Sequence, residues 1–159
     1  MAVTGRLYSV SFAGVAITAT QDLFTIIPGA TKICAIHSFE LAQVTKTSVE
    51  ILRARLRLVP ATVTAGSGGS APTPVPFSSG DAAATFTARA NDTTPATSSG
   101  TILDLWADQW NLLNGLLWVP PITNRPFVIA PGAAAVLSLG TAPAASITAS
   151  GTIVVEELP

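Results

Sequence analysis

Charged residues are scarce in this chain. Only 11% of its 159 residues are Asp, Glu, Lys or Arg, whereas roughly a quarter is usual in soluble domains. Hydrophobic residues make up 48%. Either Ser and Thr supply most of the hydrophilic groups of the surface, or other protein covers much of that surface. The shortage of charge favours a component of an assembly over a free monomer. The net charge of −1 creates no overall field that would attract nucleic acid or an anionic membrane.

Cysteine and histidine each occur once, and this limits the chemistry. The single Cys34 excludes an intramolecular disulfide, and its apolar neighbours are typical of a small buried side chain. His37 stands in the middle of an alternating apolar segment, which favours a structural histidine over a general base. A transition-metal site would need ligands from a second chain.

Motifs of catalysis and of membrane insertion are also missing. There is no GxSxG, GxGxxG or P-loop pattern, and the scattered acids Asp22, Asp104 and Asp108 lack paired-carboxylate spacing. No run of about 18 apolar residues is present, and the N-terminus lacks a basic stretch followed by an apolar one. We expect a non-enzymatic protein, made in the cytoplasm, with no catalytic residue, no cofactor, no bound metal and no membrane or nucleic-acid partner.

The chain does contain β-strand periodicity. Residues 6–20 alternate, with Tyr8, Val10 and Phe12 on one side. About eight to ten such segments occur, separated by Gly, Pro, Asn and Ser, and this spacing predicts an all-β fold, a single β-sandwich of jelly-roll type. In residues 32–44 the same rule predicts one face formed by Ile33, Ala35, His37, Phe39 and Leu41.

Two segments are ambiguous. "QDLFTII" allows a helical turn at its start, because Asp22 is a suitable cap. "LDLWADQWNLLN" shows both helical and strand spacing, and we interpret it as a strand that runs into an irregular aromatic loop.

The clearest strand, "EILRARLRLV", predicts an arginine row. Leu52, Ala54, Leu56 and Leu58 would point inward and Arg53, Arg55 and Arg57 outward. Three guanidinium groups about 7 Å apart on one strand face form a rigid basic stripe. The row is either a solvated sheet face paired with acids on neighbouring strands, such as Glu40, or a site that binds carboxylates of a protein partner. Nucleic acid ranks third, because no aromatic residues are interleaved.

The segment 64–81, "TAGSGGSAPTPVPFSSGD", divides the chain near its middle. Each half alone would make a marginal sandwich, so a long loop of one domain spanning residues 1–159 is favoured over a linker. "GSGGS" is typical of a flexible stretch, whereas "APTPVPF" favours extended geometry. Because Val75 and Phe77 are its few apolar anchors, we expect the loop to lie on a neighbouring subunit.

All three tryptophans, Trp106, Trp110 and Trp118, stand in one run with several leucines. This exceeds what a small sandwich normally buries, so a subunit interface is one interpretation. The other is that an exposed Trp110 or Trp118 stacks on a sugar.

Four stretches together resemble a family of virion structural proteins of tailed bacteriophages. They are, in order, "YSVSFAGVAITATQDLFTIIPG", "GSGGSAPTPVPFSSGDAAATFTARANDTTPA", "NRPFVIAPG" and "ASGTIVVEEL". The resemblance covers nearly the whole chain and carries no catalytic signature. By analogy with phage cement proteins, it implies a capsid decoration protein, a jelly-roll-like trimer bound to the major capsid protein on the outer surface of the virion. The long loop and the N-terminal segment would be its reaching arms.

The alternative function is a carbohydrate- or receptor-binding module of a phage fibre or tail. It would use Trp110 or Trp118 as a stacking platform.

Overall fold

The computed structural model describes residues 5–121 and 126–159. Residues 1–4, where the expected N-terminal arm begins, lie outside this part. Within it the chain forms eleven strands and no helix. The strands are β1 (Arg6–Ile17), β2 (Asp22–Ile27), β3 (Ile33–Gln43), β4 (Ile51–Val59), β5 (Val75–Pro76), β6 (Thr87–Asp92), β7 (Leu103–Asn111), β8 (Leu116–Trp118), β9 (Phe127–Ile129), β10 (Ala134–Leu139) and β11 (Ile147–Leu158).

These strands form two antiparallel sheets that pack face to face. The first sheet has the order β5-β1-β11-β3-β8, and β9 pairs with the other end of β3. The second sheet has the order β6-β2-β10-β4-β7. The predicted all-β sandwich is therefore confirmed.

Both sheets contain strands from either side of the 64–81 segment. β1 and β3 pair with β8, β9 and β11 in the first sheet, and β2 and β4 pair with β6, β7 and β10 in the second. Neither half of the chain builds a sheet alone. The one-domain organisation stays a prediction, and this interleaving supports it.

The core lies between the sheets and follows the predicted alternation over residues 8–12 of β1 and 52–56 of β4. On β1 the alternation breaks after Phe12, where the pairing with β11 shifts. Tyr8 and Val10 are fully buried, as are Ala54 and Leu56. Burying each large apolar side chain contributes about 1.5–3 kcal/mol. Leu58 is only half-buried, next to a register shift in the pairing of β4 with β7.

The prediction for β3 is wrong over its first half. Cys34 and Ile36 are buried instead of Ile33 and His37, although Phe39 is buried as expected. The pairing with β11 slips at this point, where Val154 faces Ser38 and Val155 faces Ile36. His37 is thus the extra residue of a β-bulge, and a bulge moves the following residues to the opposite face.

The two ambiguous segments are both strands. "QDLFTII" contains β2, and Asp22 caps no helix: its Oδ2 accepts a hydrogen bond from the backbone N–H of Ala96 at 2.7 Å. "LDLWADQWNLLN" contains β7, which ends at Asn111 in a turn closed by the Asn114 N–H and the Asn111 carbonyl. The expected strand leading into a loop is what this segment forms.

The segment 64–81 is held by its own chain, which its composition did not indicate. Ser67 exchanges backbone hydrogen bonds with Thr94, and Ser70 does so with Ala90. Farther along, β5 pairs with β1. The stretch predicted to be flexible is closely packed, since a Cβ at Gly69 would lie 2.1 Å from the Ala90 carbonyl oxygen. Glycine is therefore required there for close backbone approach.

Candidate functional site

The arginine row lies on the outer face of the second sheet. β4 runs between β10 and β7, so side chains that alternate with buried Leu52, Ala54 and Leu56 point away from the core. Arg53 is exposed, whereas Arg55 and Arg57 are half-buried. The sequence therefore placed this row correctly.

The acid that pairs with the row is Asp104, and the predicted partner Glu40 is wrong. Arg57 Nε lies 3.2 Å from Asp104 Oδ1, and Arg55 lies 3.9 Å from the same carboxylate. Asp104 is on β7, the strand next to β4, whereas Glu40 is on β3 in the other sheet. Such exposed pairs contribute little to stability, typically about 0–1 kcal/mol.

Arg53 stands apart from this pairing. Within residues 5–121 and 126–159 it makes no ion pair, and it lines a shallow depression with Ala107, Asp108 and Gln109. Its backbone is fixed, because its N–H donates to Thr141 Oγ1 at 2.8 Å. One of the three guanidinium groups is thus left available to a partner.

A cleft of about 240 Å³ opens beside Arg55 and Arg57. Ser138 of β10 faces Arg55 of β4 directly, and both line the cleft. The Ser138 hydroxyl and the Arg55 Nε–H are buried and have no hydrogen-bond partner among the described residues. Each such group costs about 1–3 kcal/mol when it is left unsatisfied.

Asp22 forms another wall of this cleft. Burial raises the pKa of its carboxyl group, while the hydrogen bond from Ala96 and the charge of Arg57 oppose that rise. Ala96 belongs to the loop that covers part of the outer face of the second sheet, where it packs with Val59 and Val136. Asp22 therefore fixes the loop at the rim of the cleft.

The outer face of the first sheet has different chemistry. A groove of about 520 Å³ and a second of about 270 Å³ adjoin each other, since Glu40, Leu117 and Thr152 line both. Glu40 is the one charged side chain among the described residues that line them, and most of the others are Ser, Thr, Ala or Leu. Phe77 borders the second groove. Because Glu40 is its single charged lining residue within the described ranges, we call this surface the uncharged face.

Large apolar side chains stand at the edges of the uncharged face. Leu117 is 71% exposed, Phe77 61% and Val75 58%. Val75 pairs with Ser9 in the same sheet, and the Phe77 N–H donates to the Leu7 carbonyl. Val75 and Phe77 are thus not anchors within this chain, because their side chains project into solvent.

Trp110 and Trp118 are core residues, which corrects the interpretation of these two as an interface or a sugar platform. Trp110 is 1% exposed and Trp118 5%. The Trp110 indole N–H donates to the Asn114 carbonyl at 2.9 Å. Trp106 is half-buried against Phe39 and Trp118. With Trp110 and Trp118 enclosed, the proposed stacking platform does not exist in this fold.

His37 has a structural partner, as its setting in the sequence indicated. Its Nε2 lies 2.6 Å from Glu156 Oε2, and Glu156 Oε1 accepts the N–H of Gly5. Cys34 lies in the core, where burial raises the pKa of its thiol to about 12. No group of three or more His, Cys, Asp or Glu side chains suited to a metal ion occurs in the described ranges. No helix in those ranges is long and apolar enough to cross a membrane.

The comparisons with known proteins establish no family. No family model and no curated protein match the chain. Two virus structures align weakly: one of the Gt strain of infectious bursal disease virus (12% identity, TM-score 0.17) and one of T=1 particles derived from infectious bursal virus (13%, 0.15). The two alignments cover 98% and 96% of this chain. They cover only 42% and 38% of the two virus chains. Superpositions this loose carry no argument about fold or function.

Two features of the site were not found from the sequence. In the sequence Asp104 is only one of several scattered acids, and no pattern distinguishes Ser138. The register of β4 with β7 and β10 brings both to the arginine row. The alternation of "AAVLSLG" marks a strand but does not say which strands flank it.

Proposed function

We propose that the protein is a non-enzymatic structural component of a tailed-bacteriophage particle, a decoration or cement protein on the outer capsid surface. It would form a homo-oligomer, a trimer by analogy with phage cement proteins, and bridge neighbouring copies of the major capsid protein. Its mechanism is mechanical, since added contact area between capsomers resists the pressure of packaged DNA. The sequence resemblance is one support for this proposal.

One structural observation carries the proposal: the two outer faces of the sandwich differ in chemistry. One is the uncharged face, edged by Leu117 and Phe77, and the other bears the arginine row. A bridging protein needs two contact surfaces that do not compete. We assign the uncharged face to contacts between copies, because Ser, Thr and Ala side chains cost less to desolvate than charged ones. We assign the arginine row to acidic groups on the capsid.

The strand order favours the jelly-roll form of the sandwich. With β5, β6 and β9 set aside, the sheets are β1-β11-β3-β8 and β2-β10-β4-β7. Most consecutive strands among these eight lie in opposite sheets, with β4 and β7 as the adjacent pair in one sheet. This is the pairing expected when two Greek keys are wrapped around one core, the architecture used by many viral capsid domains.

The proposal is tested with capsids that lack the protein. The purified chain should sediment as an oligomer and bind expanded capsids to a fixed number of copies. Replacing Arg53, Arg55 and Arg57 together by Ser should weaken this binding and reduce its dependence on salt, since three charges are lost. A control variant, Arg6→Ser, changes an exposed arginine of the other sheet and should bind as the wild type does. A monomer that fails to bind such capsids would overturn the proposal.

A further inference from the structure

The cleft between β4, β10 and the start of β2 has the features of a small binding site. Its lining includes Arg55, Arg57, Ser138, Asp22 and Gly140. Two of its donors, the Ser138 hydroxyl and Arg55 Nε–H, are enclosed without any partner in the described chain. Ser138 is 3% exposed. Polar groups this deeply buried nearly always have a partner.

Gly140 packs closely against the side chains of Arg53 and Arg55. A Cβ at this position would lie 3.1 Å from Arg55 Nε and 3.2 Å from Arg53 Cδ. The backbone is held in place, since the Gly140 N–H donates to the Arg53 carbonyl at 2.7 Å. A side chain at position 140 would therefore press on the unpartnered Nε–H of Arg55.

The lining side chains select the kind of ligand. Arg55 and Arg57 supply two positive charges and Asp22 supplies one negative charge when it is ionised, while Asp104 pairs with both arginines from the neighbouring strand. The lining therefore lacks the surplus positive charge that a phosphate dianion needs. A carboxylate, which carries one negative charge and two acceptor oxygens, matches the two unpartnered donors and the planar donor groups of an arginine.

We infer that this cleft binds a single carboxylate, the side chain of an Asp or Glu on the protein partner of the arginine face. One oxygen accepts from Arg55 Nε–H and the other from the Ser138 hydroxyl, so that both unpartnered donors are satisfied. The identity of the partner as a capsid protein rests on the proposed function, whereas the carboxylate site itself does not.

The test uses the full-length protein and sodium acetate as the probe. Two-dimensional ¹H–¹⁵N spectra follow the Arg55 Nε–H and Ser138 amide signals during the titration, with acetamide as the neutral counterpart and inorganic phosphate as the dianion. Acetate should shift these signals along a saturating curve, and acetamide should not. Arg55→Gln should abolish saturation, and Ser138→Ala should weaken binding roughly three- to tenfold through the lost hydrogen bond.

Arg53→Gln is the matched control, because it removes the same charge from the same strand but lies outside the cleft lining. It should keep the acetate affinity to within about twofold. Equal losses in Arg53→Gln and Arg55→Gln, a shift that never saturates, or tighter binding of phosphate than of acetate would overturn the site. If acetate binds as expected but Arg55→Gln occupies capsids like the wild type, the carboxylate site stands and its assignment to a capsid partner falls.

Discussion

The indole ring of Trp118 stacks on the phenyl ring of Phe39 inside the sandwich, with centroids 5.1 Å apart and planes inclined by 11°. Phe39 is on β3 and faces Trp118 of β8 in the pairing of these strands. Trp106 on β7 of the opposite sheet touches both rings. This aromatic cluster therefore joins the two sheets at one edge of the molecule.

Truncating this cluster should unfold the protein more easily. We expect Trp118→Ala to lower the free energy of unfolding by about 3–5 kcal/mol, because a large cavity is left in the core. Urea denaturation followed by circular dichroism measures this loss. The control is Leu117→Ala, one residue earlier and largely exposed, for which a change within about 0.5 kcal/mol is expected. Similar small effects of both substitutions would show that the ring cluster is not a stabilising core element.

Glycine at position 69 should be required for the fold. A Cβ there meets the backbone of Ala90 and Asn91 at 2.1–2.6 Å, so we expect Gly69→Ala to cost at least about 1–3 kcal/mol. Gly80→Ala is the control, because nothing lies within 4 Å of a Cβ at that position. Its stability should be unchanged or slightly raised. Equal unfolding midpoints in urea would mean that 66–70 is not packed against 90–94.

The β-sandwich was predictable, but much of the site was not. Over residues 8–12 of β1 and 52–56 of β4 a single face is buried, so alternation identifies inward residues such as Tyr8 and Leu56. On β3 the bulge at His37 changes which residues point into the core before and after it. No local sequence pattern predicts such a bulge. The glycine-rich segment was misjudged because a tight backbone contact and a flexible linker use the same residue.

The prediction that Trp110 or Trp118 is exposed fails for a related reason. A run of three indoles looks too apolar for a small core, yet Trp110 and Trp118 fit between the sheets because β7 and β8 lie in different sheets. The cleft at Arg55 depends on Ser138, which is 83 positions farther along the chain and is brought opposite it by strand pairing. Contacts between distant segments are not encoded in any short stretch.

Stability should depend on pH through Asp22. Because its pKa is raised in the folded state, folding binds a proton, and stability should fall as pH rises from the ordinary carboxyl pKa to the raised one. We expect Asp22→Asn, which keeps an acceptor for the Ala96 N–H, to remove this part of the pH dependence. Asp22→Ala should instead cost about 1–3 kcal/mol, because that buried N–H loses its partner. Urea denaturation between pH 3 and 8 gives the free energy of unfolding of the three proteins at each pH. If this free energy changes with pH equally in wild type and Asp22→Asn, the expectation is contradicted.

Copies of the protein should associate through the uncharged face. Leu117 and Phe77 are among its most exposed apolar side chains, and a carboxylate placed there would have to be desolvated on contact. We therefore expect Leu117→Asp combined with Phe77→Asp to shift the oligomer to monomers while the fold is retained. Analytical ultracentrifugation measures the masses, and circular dichroism checks the fold. Val44→Asp is the matched control, since Val44 is 78% exposed and lines neither groove. An oligomer that survives the double substitution would move the self-contact away from this face, and the edge at β5 would then be the next surface to test, because a short exposed edge strand can pair with a second copy.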